Sequence, residues 1–129
     1  MKSRSSRQAK AREFSRAERN KIYERDGGKC IFCQKEYHME ESTWYGRTML
    51  SVMHFIPRSK NGLGIERNGA IGCAFHHEML DNGYRGRREE MLSIFRAYLK
   101  GKYAGWNEEE LVYEKWRRTS EQKTGEKAI

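Results

Sequence analysis

Apolar positions along the chain fall into two patterns. Between Arg87 and Lys102 the residues Met91, Leu92, Phe95, Tyr98 and Leu99 recur three and four apart, with charged residues between them. That period predicts an amphipathic helix with one face on a core. Ser15 to Asp26 carries fewer apolar residues, with Phe14 and Ile22 or Tyr23 able to face inward. Ser15 as N-cap, Glu18 three residues on, and Gly27-Gly28 at the far end predict a second helix. The second pattern occupies Thr43 to Ile56 (TWYGRTMLSVMHFI), where aromatic and β-branched residues crowd together. It predicts two short strands broken near Gly46-Arg47, or one longer bent strand, ended by Pro57. Arg58 to Arg67 reads as a turn-rich loop and Asn68 to Gly72 as a short returning strand. Ala74 to Leu80 reads as a short helix stopped by Asp81-Asn82-Gly83. Asn107, followed by Glu108, Glu109 and Glu110, predicts a last helix with Leu111, Val112 and Trp116 on its apolar face.

These elements make one α+β domain with tails. Residues 1–13 read as a basic, Ser-rich arm, disordered or loosely helical, and residues 14–106 as the domain. Residues 107–118 read as a C-terminal helix packed on it and 119–129 as a polar tail. Only 36% of the 129 residues are hydrophobic and 34% are charged, so the core is small and a metal staple would help it. A net charge of +8 favours an anionic partner, nucleic acid above all. No apolar run reaches membrane-spanning length and the N-terminus lacks an apolar signal core, so we expect a soluble, cytoplasmic protein.

Three cysteines are an odd number and fit a disulfide framework badly. They stand as Cys30-x-x-Cys33 and Cys73-x-x-His76, two pairs that together offer a tetrahedral ion a Cys₃His set. We therefore expect structural zinc on Cys30, Cys33, Cys73 and His76, closing a long loop around the strand region. His77 is adjacent to His76 and competes for the same role. His38, in the polar loop Gln34 to Ser42, reads as a surface residue.

Three of the four histidines and the only proline lie between Met53 and Asn82. The pieces ERDGGKCIFC, HFIPRSKNG and ERNGAIGCAFHH there and upstream resemble the HNH endonucleases of the His-Me finger (ββα-metal) class. The likeness is to the zinc-bearing subgroup found in phages and mobile elements, and it covers about Ser15 to Gly83. The resemblance implies a small ββα-metal core with flanking helices and metal-dependent cleavage of DNA. His54 takes the place of the first histidine, Asn68 of the asparagine and His77 of the last histidine. His76 stands where the family often has a cysteine.

The chemistry fits those residue types. A neutral imidazole at His54 can activate the attacking water as general base. His77, with Asp81 four residues on along the same helix face, can hold Mg²⁺ or Mn²⁺ opposite the leaving oxygen. Asn68 either orients the loop that carries His54 or reaches the metal. Arg58, Lys60 and Arg67, with the basic arm, are the expected phosphate contacts. Met53 departs from the pattern, because the family commonly places a metal-binding Asp, Glu or His before the first histidine. A thioether is a poor ligand for a hard cation. Either Asp81 takes over that role, with Glu78 on another face, or the site is weakened or dead. No recognition module is visible, so low sequence specificity is expected, with phage DNA-packaging proteins as a family-level partner. The alternative readings are a catalytically silent, zinc-stabilised nucleic-acid-binding module and a basic protein-docking module.

Overall fold

The structure is a computed structural model and describes residues 4–83 and 86–114. Its order is α1 (Arg4–Ala11), α2 (Arg16–Asp26), α3 (Ile31–Gln34), α4 (Trp44–Thr48), β1 (Leu50–His54), β2 (Gly69–Cys73), α5 (Ala74–Asn82) and α6 (Arg88–Lys102), followed by a 3-10 turn, Glu108–Leu111. This is a mixed arrangement of helices around a small two-stranded antiparallel sheet.

β1 and β2 pair from Leu50 opposite Cys73 to His54 opposite Gly69. Successive side chains of a strand point to opposite faces, and the two faces meet different cores. Val52 and Ile71 pack with Phe14 and Ile22 beneath α2. Met53, Ala70 and Cys73 join the larger cluster with Phe32, Met79, Phe95 and Leu99. Gly72 lets Met53 lie flat on the sheet, because a Cβ there would stand 2.3 Å from the Met53 sulfur. α6 buries Met91, Phe95 and Leu99, one residue per turn on the face its period announces.

A two-stranded sheet leaves edge groups unpaired. On β2 two side chains of α2 take the place of a third strand. The Asp26 carboxylate accepts from the Ile71 N–H at 2.9 Å, and the Arg25 guanidinium donates to the Gly69 carbonyl at 2.7 Å. Asp26 is buried and is held further by Arg25 at 2.7 Å and by the Tyr98 hydroxyl. α2 itself starts as expected, with Ser15 Oγ accepting from the Glu18 N–H at 3.1 Å, and ends on Gly27 in the left-handed region. The Glu18 carboxylate does not close the capping box. It reaches instead to the Glu66 N–H at 2.7 Å and ties α2 to the loop before β2.

Three expectations need correction. Trp44 to Thr48 is a helix, not a strand, because Thr43 caps it by accepting from the Gly46 N–H at 3.0 Å. Of residues 1–13, read as a disordered or loosely helical arm, Arg4–Ala11 forms α1, and Ala11 accepts from the Gly64 N–H at 3.0 Å. Among the described residues after Asn107 the chain makes only the turn Glu108–Leu111, and Val112 then bridges Gly62 as extended backbone. Residues 115–129, with Trp116 and the polar tail, lie outside the described part.

Candidate metal centre and the adjoining histidine cleft

The turn after α2 delivers Cys30 to the N-cap of α3, and one helical turn brings Cys33 back beside it. Cys73 ends β2 and caps α5, where its sulfur accepts from the His76 N–H at 3.4 Å. The sheet register and the two caps thus bring the pairs together. The His76 Nδ1 stands 3.6 Å from Cys30 Sγ, 3.6 Å from Cys33 Sγ and 3.3 Å from Cys73 Sγ, and Cys33 and Cys73 are 3.8 Å apart. In a tetrahedral site with metal–sulfur bonds of about 2.3 Å, sulfurs are separated by about 3.8 Å. The four donors are therefore spaced as a tetrahedral ion spaces them, and this group could hold a metal ion such as zinc.

The surroundings prepare His76 as a ligand. A carbonyl oxygen can only accept, so the 2.6 Å contact with the Tyr37 carbonyl places a proton on Nε2 and leaves the Nδ1 lone pair facing the sulfurs. Cys73 is pulled down to about 4, first by its hydrogen bond with Cys30 and then by His76. Burial pushes Cys33 up to about 11, and the hydrogen bond with Cys73 raises Cys30. Crowded thiols suppress one another's ionisation, and a dication among them relieves that. His38 is separate from this set and pairs with Glu40 and Glu41 at 3.6 and 3.4 Å.

Next to the metal group, α5 turns His77 the other way. Its Nδ1 is 2.8 Å from Ser51 Oγ on β1, and its Nε2 is 3.4 Å from the Asp81 carboxylate one turn later. Met49, Leu50, Ser51, Ala74, His77, Glu78, Asp81 and Asn82 line one open groove. Glu78 therefore shares this groove with His77 and Asp81, although its helix position reads as another face.

His54 closes β1. Its Nε2 lies 2.7 Å from the Arg12 carbonyl, so Nε2 carries the proton and Nδ1 keeps a lone pair. The Phe14 ring packs on the imidazole at 4.4 Å between centroids. Burial pushes the His54 imidazole below its ordinary value, and the charges of Arg58, His77 and Arg19 act in the same direction.

Asn68 settles one open alternative. It is buried, accepts from the Ile56 N–H at 2.8 Å, and donates to the carbonyls of Ile56 at 3.1 Å and Leu63 at 2.8 Å. Its amide is consumed in clamping the loop after His54 and does not reach toward a metal. Met53 is fully buried in the core, so the position before His54 contributes packing and no ligand. Arg58 is half-exposed and pairs with Glu13 at 3.6 Å. Lys60 is exposed in the same turn, whereas Arg67 lies over the Tyr103 ring at 5.6 Å.

Sequence reasoning misses Ser51 and the carbonyls of Arg12 and Tyr37, and it places Phe14 in the core without its contact with His54. Strand alternation pairs Ser51 with Met53 on the face toward α5, which is the one signal available for it. Among the described residues no helix is long and apolar enough to cross a membrane. Comparison of the chain with family models, curated proteins and solved structures finds no match.

Proposed function

We propose that the chain is a metal-dependent endonuclease that hydrolyses DNA phosphodiester bonds on a ββα-metal core of the HNH type. The observation that carries this reading is the state of His54. Its Nε2–H is committed to the Arg12 carbonyl, Nδ1 retains a lone pair, and burial favours the neutral ring. A general base for water needs those properties. The segment order supports the same reading: His54 ends β1, Asn68 precedes β2, and His77 follows on α5.

Each residue then has a task. Nδ1 of His54 takes a proton from the attacking water. Asn68 fixes the loop that fixes His54. Arg58 can exchange the exposed Glu13 carboxylate for a substrate phosphate, a bidentate partner for its guanidinium. Lys60 adds positive charge on the same turn, and Arg67, drawn to Tyr103, serves strands that pass that side. His77 and Asp81 fit a hard divalent cation, because a carboxylate and an imidazole in an open groove leave room for the waters Mg²⁺ or Mn²⁺ retains. When bound, that ion supplies charge stabilisation for the departing 3′ oxygen. Zinc on the Cys₃His group is structural in this reading, since its donor set is complete and, apart from the half-buried Cys33, buried.

A second reading has one observation in its favour. Met53, where the HNH class commonly has a metal-binding residue, is sealed in the core. A zinc-stabilised nucleic-acid-binding module without activity would tolerate that. Nicking of supercoiled plasmid with Mg²⁺ or Mn²⁺ separates the two. The wild type should cut and His54→Ala should cut about 10² to 10⁴ times more slowly. Equal cutting by both removes His54 from the mechanism, and DNA retention without cutting by the wild type favours the silent module.

A further inference from the structure

Among the described residues, the large apolar side chains left exposed all fall in one short stretch: Trp44 at 71%, Tyr45 at 66%, Met49 at 50% and Leu50 at 37%. Isolated exposed apolar residues need no explanation, but a contiguous group marks a binding surface. The group is also built to last. Thr43 caps α4 through the Gly46 N–H, Thr48 donates to the Tyr45 carbonyl at 2.8 Å, and Arg47 donates to Ser42 Oγ at 2.5 Å. Gly46 faces α5, where a Cβ would meet Phe75 at 3.5 Å. Trp and Tyr side chains favour strands, yet here they sit on a helix that holds them outward. Such conflicts between local preference and final structure concentrate at functional sites.

The surface and the groove share a wall. Met49 and Leu50 belong to the exposed group and also line the groove with His77 and Asp81. A protein partner seated on Met49 and Leu50 would cover that groove. A nucleic-acid strand whose phosphate lies at His77 and Asp81 would cover both surfaces at once, with its neighbouring base over the apolar one. Paired bases in a duplex already have their faces stacked and offer only their edges. Only an unpaired or extruded base can lay its face on an indole or a phenol ring.

We propose that Trp44 and Tyr45 form a stacking shelf for unpaired bases beside the cleaved phosphate, so that the substrate class is DNA with single-stranded character at the cut. This rests on the endonuclease reading above for the word cleaved, but not for the binding preference. The shelf supplies base-tolerant attraction without reading sequence, and the chain's net charge of +8 supplies the backbone attraction.

The test uses the full-length, zinc-loaded protein without added Mg²⁺ or Mn²⁺, so that binding is read apart from cutting. Fluorescence anisotropy compares a fully paired duplex with the same duplex carrying a short unpaired gap. The wild type should prefer the gapped DNA. Trp44→Ala and Tyr45→Ala should each weaken gapped-DNA binding about tenfold, the scale of one lost stack, and leave duplex binding unchanged. Trp44→Phe and Tyr45→Phe should restore most of it. Thermal midpoints matching the wild type exclude misfolding, because both side chains are already in solvent. Equal affinity for both DNAs, or equal losses on both in the alanine variants, overturns the shelf. So do alanine variants that bind gapped DNA like the wild type, which leave the surface to a protein partner. A preserved gap preference, together with no plasmid nicking when Mg²⁺ or Mn²⁺ is supplied separately, supports the shelf and removes the endonuclease reading instead.

Discussion

His76 and His77 are neighbours on α5, about 100° apart around its axis, and their surroundings differ in every respect. His76 is fully buried, with Nε2 on the Tyr37 carbonyl and Nδ1 among three sulfurs. The His77 side chain is 30% exposed and meets Ser51 and the exposed carboxylate of Asp81. One site is closed and its donors complete a tetrahedron. The other is open, with two protein donors and space for water. Closed donor sets hold structure, and open ones hold positions for substrate. In the proposed reading, a turn of one residue along a helix separates scaffold from chemistry.

The sharpest way to break this contrast is to delete each ring in turn. His76→Ala should lose zinc, from one ion per chain to none by elemental analysis, together with the cooperative unfolding transition. His77→Ala should keep both, while plasmid nicking falls at least about 10²-fold. A folded, zinc-loaded His76→Ala protein, or an unfolded His77→Ala protein, would erase the distinction. Asn68→Ala tests the clamp between the two sites. It leaves the Ile56 N–H and the Ile56 and Leu63 carbonyls unmatched, which should cost about 1–3 kcal/mol in a urea titration. Zinc content should not change.

Gly64→Ala is subtler. Its Cβ would stand 2.2 Å from the Glu13 carbonyl carbon, so the segment bearing the Arg12 carbonyl must lift away. Imidazole ¹⁵N shifts should then report both tautomers of His54 instead of the Nε2–H form alone, and nicking should slow. Unchanged shifts would remove the Arg12 carbonyl from the argument.

The smallest effect is on pH dependence. Burial holds His54 below its ordinary value of 6.5, so the ring is neutral down to lower pH than a free imidazole. If His54 is the base, nicking should rise with pH through a midpoint below 6.5, and a midpoint above 7 would point to another titrating group. On acidification the unfolded chain takes this proton first. His54 therefore removes stability as pH falls from 6.5 through its folded value, and none above 6.5.

What the sequence reveals follows the physics of each region. α6 is legible because Met91, Phe95 and Leu99 repeat at the period of the helix they form. The Cys₃His group is legible because a four-donor site closes with pairs at fixed spacing. α5 and its stop at Gly83 are legible from the turn residues that end it. Trp44 to Thr48 is misread because the strand preference of its rings loses to the Thr43 cap and to the packing of Gly46 on Phe75. The supports of both histidines are misread for another reason. Arg12 and Tyr37 act through backbone carbonyls, which every residue possesses and no pattern flags. At Asn107 the cap is correct, with its side chain accepting from the Glu109 N–H at 2.9 Å, but Leu111 is drawn into the core and the chain straightens to meet Gly62.

Arg25 and Asp26 have a consequence for how the molecule tolerates change. They grip the outer border of β2 at Gly69 and Ile71, two backbone positions that no substitution can alter short of proline. The helix is therefore keyed to the main chain of the hairpin as well as to the side chains of Val52 and Ile71. These two main-chain grips do not depend on which side chains β2 carries, as long as that charged couple survives. Asp26→Asn would retain the shape of the key but halve its charge, and would show how much of the alignment is electrostatic.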